Sequence, residues 1–370
     1  MSNYKVGIIT KIGKNYGALL QAYALKTAFC KLGAEAHIIK YTPGISNNSY
    51  KVCRHTWGVR GTIANIKAIL HGQSIKESTE KFLEFRDKYF DFIGQGNNVS
   101  ELEKNLPACD IYVSGSDQVW NPVIAFDESF YYHFSLRAEK PYIVSYAASI
   151  GLKSIPQQYK ERFSQYVSRF NYISVREKQA SVLLKDLGFS SCIAPDPTLL
   201  LTKSEWDALK QDTFVKGKYI LCYCVSYVQN TDKVVNKVKE ILNLPVVNLM
   251  TSEDSSHIGD IKIRNAGPEE FLGLFANASY VVTTSFHGTV FSVHNKVPFC
   301  TLLYKQTGGR VSELLENIDL SNRIISDESE IIESFVKCDQ IYTDVVIKRI
   351  EALRQTGYNV LTSILNKESI

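Results

Sequence analysis

Short apolar runs closed by small or polar side chains alternate along this chain with longer segments whose apolar positions recur at helical spacing. "KVGIIT" (5–10) reads as a strand, "YGALLQAYALKTAFCKLG" (16–33) as a helix closed by Gly33, and "AEAHIIKY" (34–41) as a second strand. A β-α-β unit of this kind builds a parallel sheet. "DIYVSGSDQVW" (110–120) and "PYIVSYAAS" (141–149) add two strands that end in small and polar residues, and "YISVREKQASVLLKDLGF" (172–189) passes from strand to helix at Arg176. The proline-framed stretch "APDPTLLLTKSEWDAL" interrupts the pattern, and a second series follows: "KYILCYCVSY", a charged helix at "DKVVNKVKEILN", "PVVNLM", a helix at "PEEFLGLFANA", then "YVVTTSFHG". The final "DVVIKRIEALRQTGYNVLTSILNK" is helical, and Pro43 to Gly96 reads as an insert of helices and loops.

The pattern predicts an α/β protein with two Rossmann-like domains facing a cleft, an arrangement that resembles the GT-B architecture, with the C-terminal helix packing back on the first domain. The expected divisions are 1–205, 206–330 and a helical segment 331–370. With 370 residues, 45% of them hydrophobic, the chain can bury two cores. The 42 Lys and Arg against 38 Asp and Glu form no basic block, so nucleic acid is not an expected partner. The opening "MSNYKVGIIT" carries no charged leader or long apolar region, and no segment offers the roughly 20 apolar residues that a membrane span requires. A cytoplasmic location is therefore expected, and the diffuse +4 charge leaves room for peripheral contact with the inner face of a membrane. Eight scattered cysteines read as reduced thiols, and the C-x-C of Cys222 and Cys224 has no second pair to complete a zinc site.

Chemistry in such folds gathers where strands end, because helix N-termini point their amides outward there. Four places qualify. In "TKIGKNYGALL", Gly13, Asn15 and Gly17 fit either a tight structural turn or a loop that cradles an anion, and neither a dinucleotide fingerprint nor a P-loop is present. In "VSGSDQVWNP", Ser114, Ser116 and Asp117 fit a helix N-cap or the lining of a pocket for a polyhydroxylated ligand, with Asp117 placed to take a proton from a sugar hydroxyl. Arg176 stands where a helix starts, a position at which the dipole disfavours a cation, so it either grips an anion or pairs with Glu177 or another acid. His287, between "YVVTTS" and "GTVFSVHN", follows Thr284 and Ser285 at a strand-to-helix turn where a side chain can face a cleft, whereas His294 reads as structural. Beyond it, "TLLYKQTGGR" puts Lys305 and Arg310 around a third turn suited to anions.

"NYGALLQAYAL", "VSGSDQVWNP", "SYAASIG", "SVREKQA", "PDPTLLL" and "SFHGTVFS", in this order over residues 5 to 325, resemble the motif series of the polysaccharide pyruvyl transferase family. The resemblance implies a GT-B-like fold and transfer of the pyruvyl group of phosphoenolpyruvate onto a sugar, usually as a ketal bridging two hydroxyls. It carries Arg176, His287 and Lys305 over as functional positions and, around the variable "GGR" turn, Arg310. Phosphoenolpyruvate presents a phosphate and a carboxylate close together, which calls for convergent cations, and Arg176, Lys305 and Arg310 supply them. Protonation of its C3 suits His287, with no metal or cofactor required. Asn15, Gly17, Ser114, Ser116 and Ser285 complete the expected binding residues. Acceptor specificity is expected in residues 44–106, where Trp57 and Arg60 could stack on sugars or shield a lipid-linked acceptor. The rival reading is a GT-B glycosyltransferase with a nucleotide-sugar donor, whose ribose Glu269 or Glu270 would grip.

Overall fold

The computed structural model describes residues 4–42, 72–125, 142–213, 215–226, 228–251, 258–304, 308–338 and 340–368. The chain divides into two compact units, one made of residues 1–70, 83–201 and 353–370 and the other of 71–82 and 202–352.

The first unit is built on a seven-stranded sheet: β1 (Lys5–Ile9), β2 (Glu35–Tyr41), β3 (Phe92–Gly96), β4 (Ile111–Ser114), β5 (Tyr142–Ala148), β6 (Tyr172–Val175) and β7 (Cys192–Ile193). They lie in the order β3-β2-β1-β4-β5-β6-β7, and every pair is parallel. The second unit repeats the plan with β8 (Ile220–Tyr223), β9 (Val246–Leu249), β10 (Ile261–Ile263), β11 (Tyr280–Thr283), β12 (Phe299–Leu302) and β13 (Ile324–Ile325), in the order β10-β9-β8-β11-β12-β13. Each sheet reverses its winding between its first and fourth strands, and ligands of open α/β sheets bind in the crevice outside such a switch point.

The central strands β4, β6, β8, β9, β11 and β12 are buried at every position, which is why they read as continuous apolar runs and not as alternating ones. Among the described residues, the helices of eight or more residues are α1 (Tyr16–Lys31), α2 (Gly72–Tyr89), α3 (Gln157–Val167), α4 (Lys178–Asp186), α5 (Thr231–Leu242), α6 (Pro268–Asn277), α7 (Phe286–Asn295), α8 (Gly308–Asn317) and α9 (Asp344–Leu365). In the first core Trp120 meets Phe163 and Phe170 edge-on at 6.2 and 5.0 Å. In the second, Phe271, Phe275 and Phe291 pack around Tyr223 and Trp206.

From residue 353 on, α9 belongs to the first unit, as the expected return of the C-terminal helix requires. Its Gly357 permits the approach: a Cβ there would lie 2.4 Å from Leu200 Cδ2 and 2.8 Å from the Tyr146 hydroxyl. Within the insert read as helices and loops, Phe92–Gly96 is instead an edge strand. Its glycines and Gln95 hide the apolar signature that marks the central strands. Trp57 and Arg60 lie outside the described residues.

Candidate active site

In the second unit the switch point falls between β8 and β11, which pair in register through Tyr223 and Thr283. Past Thr283 the chain turns sharply into α7. Ser285 is the N-cap residue, accepting the Gly288 amide on its Oγ at 3.3 Å while its own amide donates to Thr283 Oγ1 at 3.0 Å. The expected ligand contact of Ser285 is therefore replaced, in this structure, by a capping role in a buried position. Gly288 is required by the close approach of helix to sheet, because a Cβ would lie 2.2 Å from Thr283 Oγ1 and 2.9 Å from Tyr223 Cδ1.

His287 is the second residue of α7 and is half-buried, with its ring perpendicular to that of Phe286 at 5.3 Å. Arg310, in the first turn of α8, holds its guanidinium 6.0 Å from the centroid of the same Phe286 ring. The Phe286 ring thus neighbours both sequence-predicted groups, which stand in the first turns of the helices that follow β11 and β12. Neither α7 nor α8 carries an acid in its first turn, so both positive helix ends are open to an anion's charge. Lys305 lies outside the described residues. His294 is buried against Trp206 and Phe291, in keeping with its structural reading. Glu270 caps its own helix through the Gly267 amide at 2.7 Å and pairs with Lys81 at 2.7 Å, so it does not present itself for a ribose.

The first unit's switch point lies between β1 and β4, and several expected ligand groups there prove to be structural. Asn15 caps α1, its Oδ1 accepting the Ala18 amide at 3.0 Å, and Gly17 lies inside the first helical turn and not in the loop before it. Ser114 Oγ accepts the Trp120 indole N–H at 3.2 Å. Ser116 is enclosed by three contacts: its hydroxyl donates to Ala147 O at 2.8 Å, its amide donates to Gln21 Oε1 at 3.2 Å, and its carbonyl accepts Thr10 Oγ1 at 2.9 Å; Gln21 in turn donates to Thr10. The Ser116 backbone thus ties the loop after β4 to Thr10 after β1 and to Gln21 of α1, and both serines are fully buried. Asp117 caps no helix; at φ 74° it sits in a left-handed turn whose carbonyl accepts the amides of Val119 and Ser149.

Arg176 is the largest correction. Its side chain is 4% exposed, and Nη1 donates to Asp196 Oδ2 at 2.5 Å; Nε stands 3.7 Å from Glu177 Oε1 and Nη2 3.9 Å from Asp117 Oδ1. Burial works against its charge, but Asp196, Glu177 and Asp117 outweigh burial and raise its pKa. The ion-pair reading is the one realised. The three neighbouring acids oppose an incoming phosphate at this guanidinium, so the structure favours the ion-pair reading over the anion grip. Asp196 is wholly enclosed and also accepts the Thr198 amide and hydroxyl at 3.0 and 2.7 Å, while Ser149 donates to Glu177. Asp117, at 18% exposure, is the carboxylate of this cluster that reaches solvent.

Sequence reading passed over Asp196, Ser149 and Lys14. Asp196 had a legible signal, an acid framed by two prolines just after a strand, where only a capped turn fits. Lys14, in the loop after β1, is partly enclosed, and desolvation pushes its amine down to about 8.

Two parallel sheets of this winding define an α/β protein of GT-B-like fold. The sequence profile described as polysaccharide pyruvyl transferase matches residues 15–306, and the chain belongs to that family. No curated protein sequence matches it. Among solved structures, a protein described as a UDP-N-acetylglucosamine 2-epimerase from Listeria monocytogenes is similar over 99% of this chain and 95% of its own, with 13% identity and a TM-score of 0.52. The UDP-GlcNAc 2-epimerase of Methanocaldococcus jannaschii aligns over 98% of this chain and 99% of its own at 13% identity, with a TM-score of 0.49. The first likeness shows the GT-B fold and nothing of the chemistry. Among the described residues, no helix is long and apolar enough to cross a membrane.

Proposed function

We propose that this chain transfers the pyruvyl group of phosphoenolpyruvate to a sugar of a cell-surface polysaccharide, or of its lipid-linked precursor at the inner face of the membrane, and closes it as a ketal. The observation that supports this reading is that His287 and Arg310 both lie beside the Phe286 ring, in the first turns of two helices that carry no acid there. An acid beside an anion-holding cation is what an enol phosphate requires.

In this mechanism Arg310 and Lys305 hold the phosphate and carboxylate, aided by the positive ends of α7 and α8. His287 gives its proton to C3 of the enol while a sugar hydroxyl adds at C2. The hydroxyl's proton passes to a base on the acceptor side. Phosphate then leaves C2, and the second hydroxyl closes the ring. The chemistry needs no metal or cofactor. Commitment of Glu270 to its cap and to Lys81 weighs against the nucleotide-sugar reading.

The test offers each donor class to the protein with a panel of simple and lipid-linked sugars. Phosphate released from phosphoenolpyruvate together with a new pyruvyl methyl signal on the sugar is expected. Release of nucleoside diphosphate from a nucleotide-sugar, with phosphoenolpyruvate untouched, would overturn the proposal.

A further inference from the structure

Thr283 closes β11, a strand buried at every position, where a valine of the same shape would fill the same space. Its one hydroxyl oxygen makes two hydrogen bonds: it donates to the Tyr223 carbonyl at the end of β8 at 2.6 Å and accepts the Ser285 amide at 3.0 Å. The sheet's own ladder fades at this point, since the Thr284 amide reaches the same Tyr223 carbonyl only at 3.4 Å. The hydroxyl thus takes over from the ladder where the chain leaves the sheet. From Ser285 the hold passes into α7. The Ser285 hydroxyl accepts the Gly288 amide at 3.3 Å, and the Ser285 carbonyl accepts the Thr289 amide at 3.0 Å and the Thr289 hydroxyl at 3.1 Å. His287 lies between Ser285 and Gly288, in the turn that these bonds fix.

We infer that Thr283 is a positioning residue for His287: its hydroxyl ties the start of α7 to β8 through the Ser285 amide and so holds the imidazole in one orientation. The inference rests on the proposed acid role of His287 but concerns a separate property, the order of its ring. A small displacement of a reacting group costs far more in rate than in binding, so loss of this hold lowers turnover without lowering donor affinity. Valine at 283 would leave a buried carbonyl and a buried amide without the oxygen that joins them, whereas serine would keep it.

The experiment compares Thr283→Val with Thr283→Ser, and with Val282→Ala as a variant that weakens the same strand without touching the hydroxyl. With phosphoenolpyruvate as the probe, calorimetry is expected to give a Kd within about twofold of wild type for all three. Turnover on any acceptor from the panel, measured well below each thermal midpoint, is expected to fall about tenfold in Thr283→Val and to stay within about twofold of wild type in the other two. When His287→Gln is already present, Thr283→Val is expected to cost less than about twofold more. The ring resonances of His287, identified by their loss in His287→Gln, are expected to be single in the wild type and to broaden or split in Thr283→Val. In the wild type itself the Ser285 amide is expected to exchange slowly with solvent, a measurement that stands even if Thr283→Val does not fold. Rapid exchange of that amide, an unchanged His287 signal in Thr283→Val, or an equal fall in Val282→Ala would overturn the positioning role. Full turnover in His287→Gln alone would instead overturn the acid assignment, while the ring resonances still decide whether Thr283 orders His287.

Discussion

At the scale of single residues, position in the charge pattern decides what a side chain can do. Arg310 lies in the first turn of a helix that starts without an acid, whereas Arg176 faces three carboxylates, so the same guanidinium is proposed as an anion ligand in one place and is an ion-pair partner in the other. Arg310→Ala is expected to weaken phosphoenolpyruvate binding about 10-fold to 100-fold, as loss of one charge-assisted contact does. Arg176→Ala is expected to leave that affinity within about twofold and to destabilise the first unit by about 3 to 5 kcal/mol, because Asp196 would remain buried without its cation. Calorimetry and denaturant unfolding separate the two, and a large loss of donor affinity in Arg176→Ala with normal stability would return Arg176 to the donor site. Lys14 yields a pH signature. Its folded pKa of about 8 lies below the ordinary 10.5, so the unfolded chain binds the extra proton between those values and stability contributed by this group rises with pH across that window. Lys14→Met should therefore stabilise the protein at pH 7 by about 1 to 2 kcal/mol, a figure reduced for partial exposure, and by little near pH 10.5; equal effects at both values would contradict the enclosure of the amine.

At the scale of elements, the turns explain both what was legible and what was not. Strands such as "YVVT" and "ILCY" announce themselves, because a parallel strand covered on both faces must be apolar throughout. His287 was legible for the same reason, as a polar residue placed where such a strand meets a helix. The roles of Ser116, Asn15 and Arg176 were not, since a hydroxyl, an amide or a guanidinium at a strand end serves a cap, a weld or a ligand equally well until its neighbours are known. Those neighbours lie far away in sequence: Gln21 for Ser116, and Asp196 for Arg176. Edge strands such as Phe92–Gly96 escaped notice because one covered edge demands less apolar surface. Gly288 tests the turn itself. A methyl group there would collide with Thr283 Oγ1, so Gly288→Ala is expected to cost roughly 1 to 3 kcal/mol and to lower turnover by displacing α7. Normal stability and turnover in that variant would show that the helix does not need its close contact with β11.

At the scale of the whole molecule, a GT-B fold and membership of the polysaccharide pyruvyl transferase family leave the donor to be decided by chemistry and not by architecture. In the proposed mechanism one proton decides the outcome: His287 delivers it to C3 of phosphoenolpyruvate, and that carbon becomes the pyruvyl methyl group. Removal of the acid in His287→Gln should cost about 100-fold to 10,000-fold in rate with donor affinity retained. The most direct measurement is the reaction run in deuterium oxide with phosphoenolpyruvate and an accepting sugar, reading the methyl group of the product by NMR and mass spectrometry. One solvent-derived deuterium in each pyruvyl methyl, formed at a rate that collapses in His287→Gln, is the predicted result. A product whose transferred group carries no solvent hydrogen, or one formed by His287→Gln at the wild-type rate, would contradict the account.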